Sequence, residues 1–143
     1  MRVAVDASVV VKWAIPDPMQ EPDADRAVAL LEGIRRGEVA AIQPPHWLVE
    51  VAAVVARLRP AIADRVVRLL DAMELPTDGT IDTLARAVEL SESLDHHLFD
   101  TLYHATALRN EATLVTADEH YLRKARLLGS LVHLRDWAMQ GHG

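Results

Sequence analysis

Short, almost wholly apolar runs that alternate with helical segments constrain the fold of this chain most strongly. Such runs occupy residues 2–5 and 112–116. Strands that are buried on both faces have this continuous apolar character, whereas strands with one solvated face alternate apolar and polar residues. Because segments with apolar residues at helical spacing separate the runs, the sequence predicts an α/β fold with a mainly parallel sheet covered by helices.

The helical segments have recognisable start and stop signals. Asp23 is a candidate N-cap, Gly37 can end the helix that follows it, and Pro60 can end the next one. We predict helices at residues 23–36, 46–59, 61–73, 81–94, 96–110 and 118–128. We predict strands at residues 2–5, 39–43, 73–77, 112–116 and 130–134.

Length and composition favour one globular domain. The chain has 143 residues, half of them hydrophobic, and no cysteine, so we expect neither a disulfide framework nor a thiolate site. We predict a single domain at residues 1–139 and a flexible tail at 140–143. Asp6 and Lys12 interrupt the first apolar stretch, so we expect no secretory signal, no membrane association and a cytoplasmic location.

Two aspartates lie where predicted strands end. Asp6 follows the first run, and Asp118 lies just past the run at 112–116. A carboxylate among apolar residues costs several kcal/mol unless something compensates its charge. Because ligands bind outside the carboxyl ends of parallel strands, both side chains are candidates for one site. The alternative is that each aspartate only caps the following helix.

Two further acids lie at the borders of apolar helix faces. Glu50 has Trp47 and Val54 as helical neighbours, and Asp100 lies in an otherwise apolar segment, where aspartate is a poor helix former. Either could be a solvated edge position. Crowded carboxylates ionise together only around cations, and hard oxygen ligands favour Mg²⁺ or Mn²⁺. Such ions would support phosphodiester hydrolysis. The net charge of −6 argues against nucleic-acid binding, but bound divalent ions would offset part of it.

The segments around these acids resemble a known family. "VDASVVVKW", "LVEVAAVV", "FDTLYHATAL" and "LVTADEHYL" resemble, in that order, the four acidic motifs of PIN-domain ribonucleases, in particular VapC-type toxins of VapBC toxin–antitoxin pairs. The resemblance implies a PIN-like three-layer α/β/α sandwich. It implies that four acids hold Mg²⁺ or Mn²⁺ and that two polar residues complete the catalytic set by orienting carboxylates or a metal-bound water. The acids are Asp6, Glu50, Asp100 and Asp118, and the polar residues are Ser8 and Thr116.

The resemblance also implies an activity and partners. Family members of this type are metal-dependent endoribonucleases that cleave RNA, commonly as homodimers, and a cognate VapB-like antitoxin silences them. The alternative is a catalytically inactive PIN-like module that binds RNA or protein. A phosphoacceptor receiver is disfavoured because neither Lys12 nor Lys124 follows a late strand. A haloacid-type phosphatase is disfavoured because Ser8 stands where a second aspartate is needed.

Two other patterns remain open. His96, Asp100 and His104 lie four residues apart, so they share one helix face and could bind zinc or nickel. The simpler interpretation is a set of surface histidines beside a magnesium site. The helices at 23–36 and 46–59 carry more apolar surface than one small sheet face covers, and Val49 and Val55 lie on different sides of the second helix. We therefore expect a hydrophobic groove beside Glu50 for a partner segment.

Overall fold

The computed structural model describes residues 1–15 and 23–138. The predicted tail at 140–143 lies outside the described residues. The strands are β1 (Arg2–Val5), β2 (Ala40–Ala41), β3 (Thr113–Thr116) and β4 (Leu131–His133). The α-helices are α1 (Ala7–Ala14), α2 (Ala24–Arg35), α3 (Trp47–Leu58), α4 (Ala63–Asp71), α5 (Ile81–Leu94), α6 (Leu98–Arg109) and α7 (Glu119–Ala125). Two single 3₁₀ turns occupy Arg126–Leu128 and Leu134–Asp136.

All pairings between the described strands are parallel, in the order β2-β1-β3-β4. Val5 lies opposite Val115, and Thr116 lies opposite His133. Val3 and Val5 are wholly inaccessible to solvent, as expected for strands that helices cover on both faces. The predicted α/β fold with a parallel, helix-covered sheet is therefore confirmed.

Three local predictions need correction. The strand expected at 39–43 is only two residues long, and the strand expected at 73–77 is an isolated bridge between Gln43 and Thr77. Helix α1 was not assigned from the sequence, because its three consecutive valines have the β-branched character typical of strands. Asp6 nevertheless starts this helix, since its side chain accepts a hydrogen bond from the Ser8 backbone nitrogen.

The end of β1 is held by a buried glutamine. Gln43 is wholly inaccessible to solvent, its Oε1 accepts from the Val5 nitrogen at 2.7 Å, and its Nε2 donates to the Val5 carbonyl at 2.9 Å. The side chain therefore replaces the ladder bonds that β2 is too short to supply. This contact fixes the backbone immediately before Asp6.

Among the described residues, no helix has both the length and the apolar character needed to cross a lipid bilayer.

Candidate active site

The site lies at the carboxyl edge of the two central strands. The Asp6 nitrogen donates to the Val115 carbonyl at 3.0 Å, so the chain leaves β1 and β3 side by side. Asp6 is the N-cap of α1, and Asp118 is the N-cap of α7. Both aspartates therefore cap a helix, and both lie at the same edge of the sheet.

Ser8 connects the two segments. Its Oγ donates to Asp6 Oδ2 at 2.5 Å and accepts from the Ala117 nitrogen at 3.0 Å. Asp6 Oδ2 also accepts from the Ser8 nitrogen at 3.1 Å. One hydroxyl thus orients the Asp6 carboxylate and ties the β1–α1 junction to the segment after β3.

Thr116 acts on the second aspartate. Its buried Oγ1 accepts from the Asp118 nitrogen at 3.0 Å, and Asp118 Oδ1 accepts from the Tyr121 nitrogen at 3.1 Å. The Asp118 carboxylate is therefore oriented by the start of α7.

Glu50 and Asp100 reach the site from the first turns of α3 and α6. Glu50 Oε2 lies 3.0 Å from His46 Nε2, and Asp100 Oδ2 lies 2.7 Å from His96 Nε2. His46 Nε2 also lies 3.1 Å from the Phe99 carbonyl, and the buried Glu50 Oε2 has no well-aligned hydrogen-bond partner. Each of these two carboxylates thus has an imidazole as a close neighbour.

Electrostatics connects three of the four acids. Burial and, to a smaller extent, the negative charges of Asp100 and Glu50 together raise the pKa of Asp6 to about 6, against the lowering effect of the two hydrogen bonds from Ser8. Asp6, Glu50 and Asp100 therefore share one electrostatic site, while Asp118 lies at the same edge in its capping role.

Two tyrosines border the site and were not recognised in the sequence. Tyr103 is wholly buried, and its Oη has no hydrogen-bond partner. Burial raises its pKa, as do the charges of Glu50, Asp6 and Asp100. The spacing from Asp100 to Tyr103 is one helical turn, so the i, i+3 relation could have indicated their proximity.

The second tyrosine, Tyr121, is bonded to His104, which was one of the possible zinc or nickel ligands. His104 Nδ1 lies 2.8 Å from Tyr121 Oη, and Nε2 lies 2.8 Å from the Gly129 carbonyl. Since a carbonyl only accepts, Nε2 carries the proton and Nδ1 accepts from the tyrosine. Both ring nitrogens are therefore occupied and the ring is wholly buried, so His104 is neither an open zinc or nickel ligand nor the surface histidine of the simpler interpretation.

The donors of the site fit a hard divalent cation. Carboxylate oxygens are the ligands that Mg²⁺ and Mn²⁺ prefer. Glu50 Oε2 is buried without a well-aligned hydrogen bond, and Asp6 is buried beside the charges of Glu50 and Asp100, so both carboxylates would be stabilised by a cation. Asp6, Glu50, Asp100 and Asp118 could supply the oxygen ligands.

The fold and the site define a class: an α/β domain with acidic side chains at the carboxyl edge of a parallel sheet. The PIN domain family matches residues 3–127, and the chain belongs to this family. PIN domains are generally nucleases, typically bind divalent metals and are associated with RNA binding. No curated protein matches the chain.

Proposed function

We propose that this protein is a Mg²⁺- or Mn²⁺-dependent endoribonuclease that hydrolyses RNA phosphodiester bonds in the cytoplasm. The observation that supports this most strongly is the charge-coupled group of Asp6, Glu50 and Asp100 at the sheet edge of a PIN domain. A purely structural acid is stabilised by cations or by hydrogen-bond donors. Asp6 accepts two hydrogen bonds from Ser8, but its burial beside two like charges outweighs them and raises its pKa.

Each residue has a defined part in this proposal. The four acids would hold one or two ions, and a bound ion polarises a phosphoryl oxygen, activates water and stabilises the leaving oxygen. Ser8 positions Asp6 and Thr116 positions the Asp118 segment through the hydrogen bonds described above. His96 orients Asp100 through its ring nitrogen.

Contrast with a structural aspartate supports this assignment. Partial burial of Asp78 tends to raise its pKa, but hydrogen bonds from Thr83, Asn110 and Thr80 together hold that pKa well below its usual range. The Asp78 carboxylate is stabilised by donors of the protein itself. The pKa of Asp6 is shifted in the opposite direction, because burial, together with the charges of Asp100 and Glu50, outweighs its two hydrogen bonds from Ser8.

A cleavage assay on labelled RNA, with Mg²⁺ or with EDTA, tests the activity. Asp100→Asn should lower the rate by roughly a hundredfold or more, because several kcal/mol of transition-state stabilisation are lost. Glu92→Gln is the control, since Glu92 is exposed on α5 outside the acid group. If the folded wild-type protein binds RNA without metal-dependent cleavage, it is the inactive binding module instead.

We also propose that the enzyme is the toxin of a type II pair, forms a homodimer and binds a VapB-like antitoxin. The expected groove on α3 needs correction, because Val55 is wholly buried, although Val49 is 73% exposed. An apolar groove lies instead between α2 and α4. Its lining includes Leu31, Ile34, Val66, Leu69 and Met73.

This groove fits an apolar segment of the antitoxin, and Leu69 at its rim is 64% exposed. Leu69→Asp should weaken antitoxin binding by roughly tenfold or more, since a charge would enter a desolvated contact. Leu127→Asp is the matched control, because Leu127 is 98% exposed outside the groove. Calorimetry gives the affinity, and sedimentation gives the oligomeric state. Equal affinity in both folded variants would refute the groove as the antitoxin surface.

A further inference from the structure

A cluster of two imidazoles and one carboxylate lies beside the acidic site. The ligand atoms of His96, His97 and Asp100 all lie within 4.8 Å of one another. Within residues 1–15 and 23–138, no other group of three or more histidine, cysteine, aspartate or glutamate side chains meets this limit. The acids of the candidate active site are therefore farther apart than the members of this cluster.

The turn between α5 and α6 brings the two histidines together. Asp95 ends α5 in the left-handed region at φ 49°, and the extended His97 starts α6. The Ser91 hydroxyl donates to the His96 carbonyl, and the His96 nitrogen donates to the Ser91 carbonyl at 3.1 Å. These bonds fix the backbone, and the rings of His96 and His97 stack with centroids 4.7 Å apart.

Asp100 is the common neighbour of both rings. Its Oδ2 lies 2.7 Å from His96 Nε2 and 3.4 Å from His97 Nδ1. His97 makes no side-chain capping bond to α6, although it occupies the N-cap position. The side chain of His96 is 5% exposed and that of His97 is 75% exposed, so the cluster joins a fixed inner ligand to an accessible outer one.

A third imidazole borders the cluster. His120 on α7 has its ring centroid 5.8 Å from that of His96, and the two residues line one surface depression with His97. Lys124, on the same depression, donates to the Asp95 carbonyl at 2.7 Å. The depression therefore offers imidazole nitrogen from two elements.

We infer that His96, His97 and Asp100 form a binding site for a transition-metal ion of the Zn²⁺ or Co²⁺ class, with His120 as a candidate further ligand. Imidazole nitrogen favours such ions, whereas Mg²⁺ favours oxygen ligands. The donor chemistry thus separates this site from the all-oxygen site of Asp6 and Glu50. Asp100 belongs to both.

Titration with Co²⁺ tests the site, because nitrogen-ligated Co²⁺ absorbs visible light with an intensity that depends on its geometry. We expect one Co²⁺ per chain at this site and stronger competition by Zn²⁺ than by millimolar Mg²⁺, because Mg²⁺ shares only Asp100 with this cluster. His97→Ala should weaken Co²⁺ binding by roughly tenfold or more. Because His97 is exposed, this variant should fold, and circular dichroism checks that it does.

Two control variants locate the ion. Glu92→Gln lies on the same depression without belonging to the cluster, so it should keep wild-type affinity for Co²⁺. Asp6→Asn should also keep the Co²⁺ site. Loss of binding in Asp6→Asn with retention in His97→Ala would place Co²⁺ among the acids and overturn the inference. Because the measurement is metal binding, it does not depend on nuclease activity.

Discussion

Replacing Asp6 by asparagine should stabilise the metal-free protein at neutral pH. The pKa of Asp6 is raised from 3.8 to about 6, mainly by burial. The folded state therefore binds the Asp6 proton more tightly than the unfolded state does. The free energy of unfolding falls as the pH rises from about 4 to about 6, and above that range the full penalty of the charge is present.

The magnitude follows from the two pKa values. The difference between 3.8 and about 6 corresponds to about 3 kcal/mol, because one pKa unit is about 1.4 kcal/mol. Asparagine is uncharged, and its Oδ1 can accept the two hydrogen bonds from Ser8. At pH 7.5, Asp6→Asn should raise the Tm by roughly 6–12 °C for a chain of this length. At pH 4 most of the difference should disappear.

Thermal unfolding in EDTA at both pH values measures this effect. Asp78→Asn is the opposite control: it should lower the Tm at pH 7.5, because hydrogen bonds stabilise the Asp78 carboxylate in the folded state. Added Mn²⁺ should raise the Tm of the wild type more than that of Asp6→Asn. A folded Asp6→Asn protein that is no more stable than wild type at pH 7.5 would refute the reasoning.

Three further substitutions test the buried polar groups. Tyr103→Phe removes an Oη that has no hydrogen-bond partner, so it should stabilise the metal-free protein by about 1 kcal/mol. Tyr121→Phe breaks the hydrogen bond to His104, so it should lower the free energy of unfolding by about 1–2 kcal/mol. Urea denaturation compares the two, and a loss in Tyr103→Phe would show that its hydroxyl has a partner. Gln43→Leu leaves the Val5 nitrogen and carbonyl without the Gln43 partners, so it should lower the free energy of unfolding by about 2–5 kcal/mol. A loss below about 1 kcal/mol would contradict the role assigned to the Gln43 side chain.

The fold class could be predicted from the sequence because strands that are buried on both faces of a sheet are continuous apolar runs. It was insufficient for α1, where three valines favour a strand but the Asp6 cap and the packing of the chain favour a helix. It was also insufficient for the length of β2, because Gln43, rather than a further strand pair, satisfies the Val5 backbone.

The placement of the site acids remains in part a prediction. Their position at strand ends and helix starts was readable, since topology sends the ends of parallel strands to one edge. The imidazole neighbours of two acids follow the helical spacing, because His46 lies four residues before Glu50 and His96 lies four residues before Asp100. The bond between Tyr121 and His104 was not readable, because it joins two helices across 17 positions of sequence. Periodicity within one helix carries no information about such pairs.

The order of the strands has a consequence for how the protein is made. Val3 pairs with Thr113, so about 110 residues of chain separate the two strands that carry Asp6 and Asp118. A ribosome adds about 5–20 residues per second, so β3 leaves the ribosome at least several seconds after β1. During this interval helices can form locally, but the sheet edge that assembles the carboxylates does not exist. The site at the carboxyl edge of β1 and β3 therefore cannot assemble until residues 113–118 have left the ribosome.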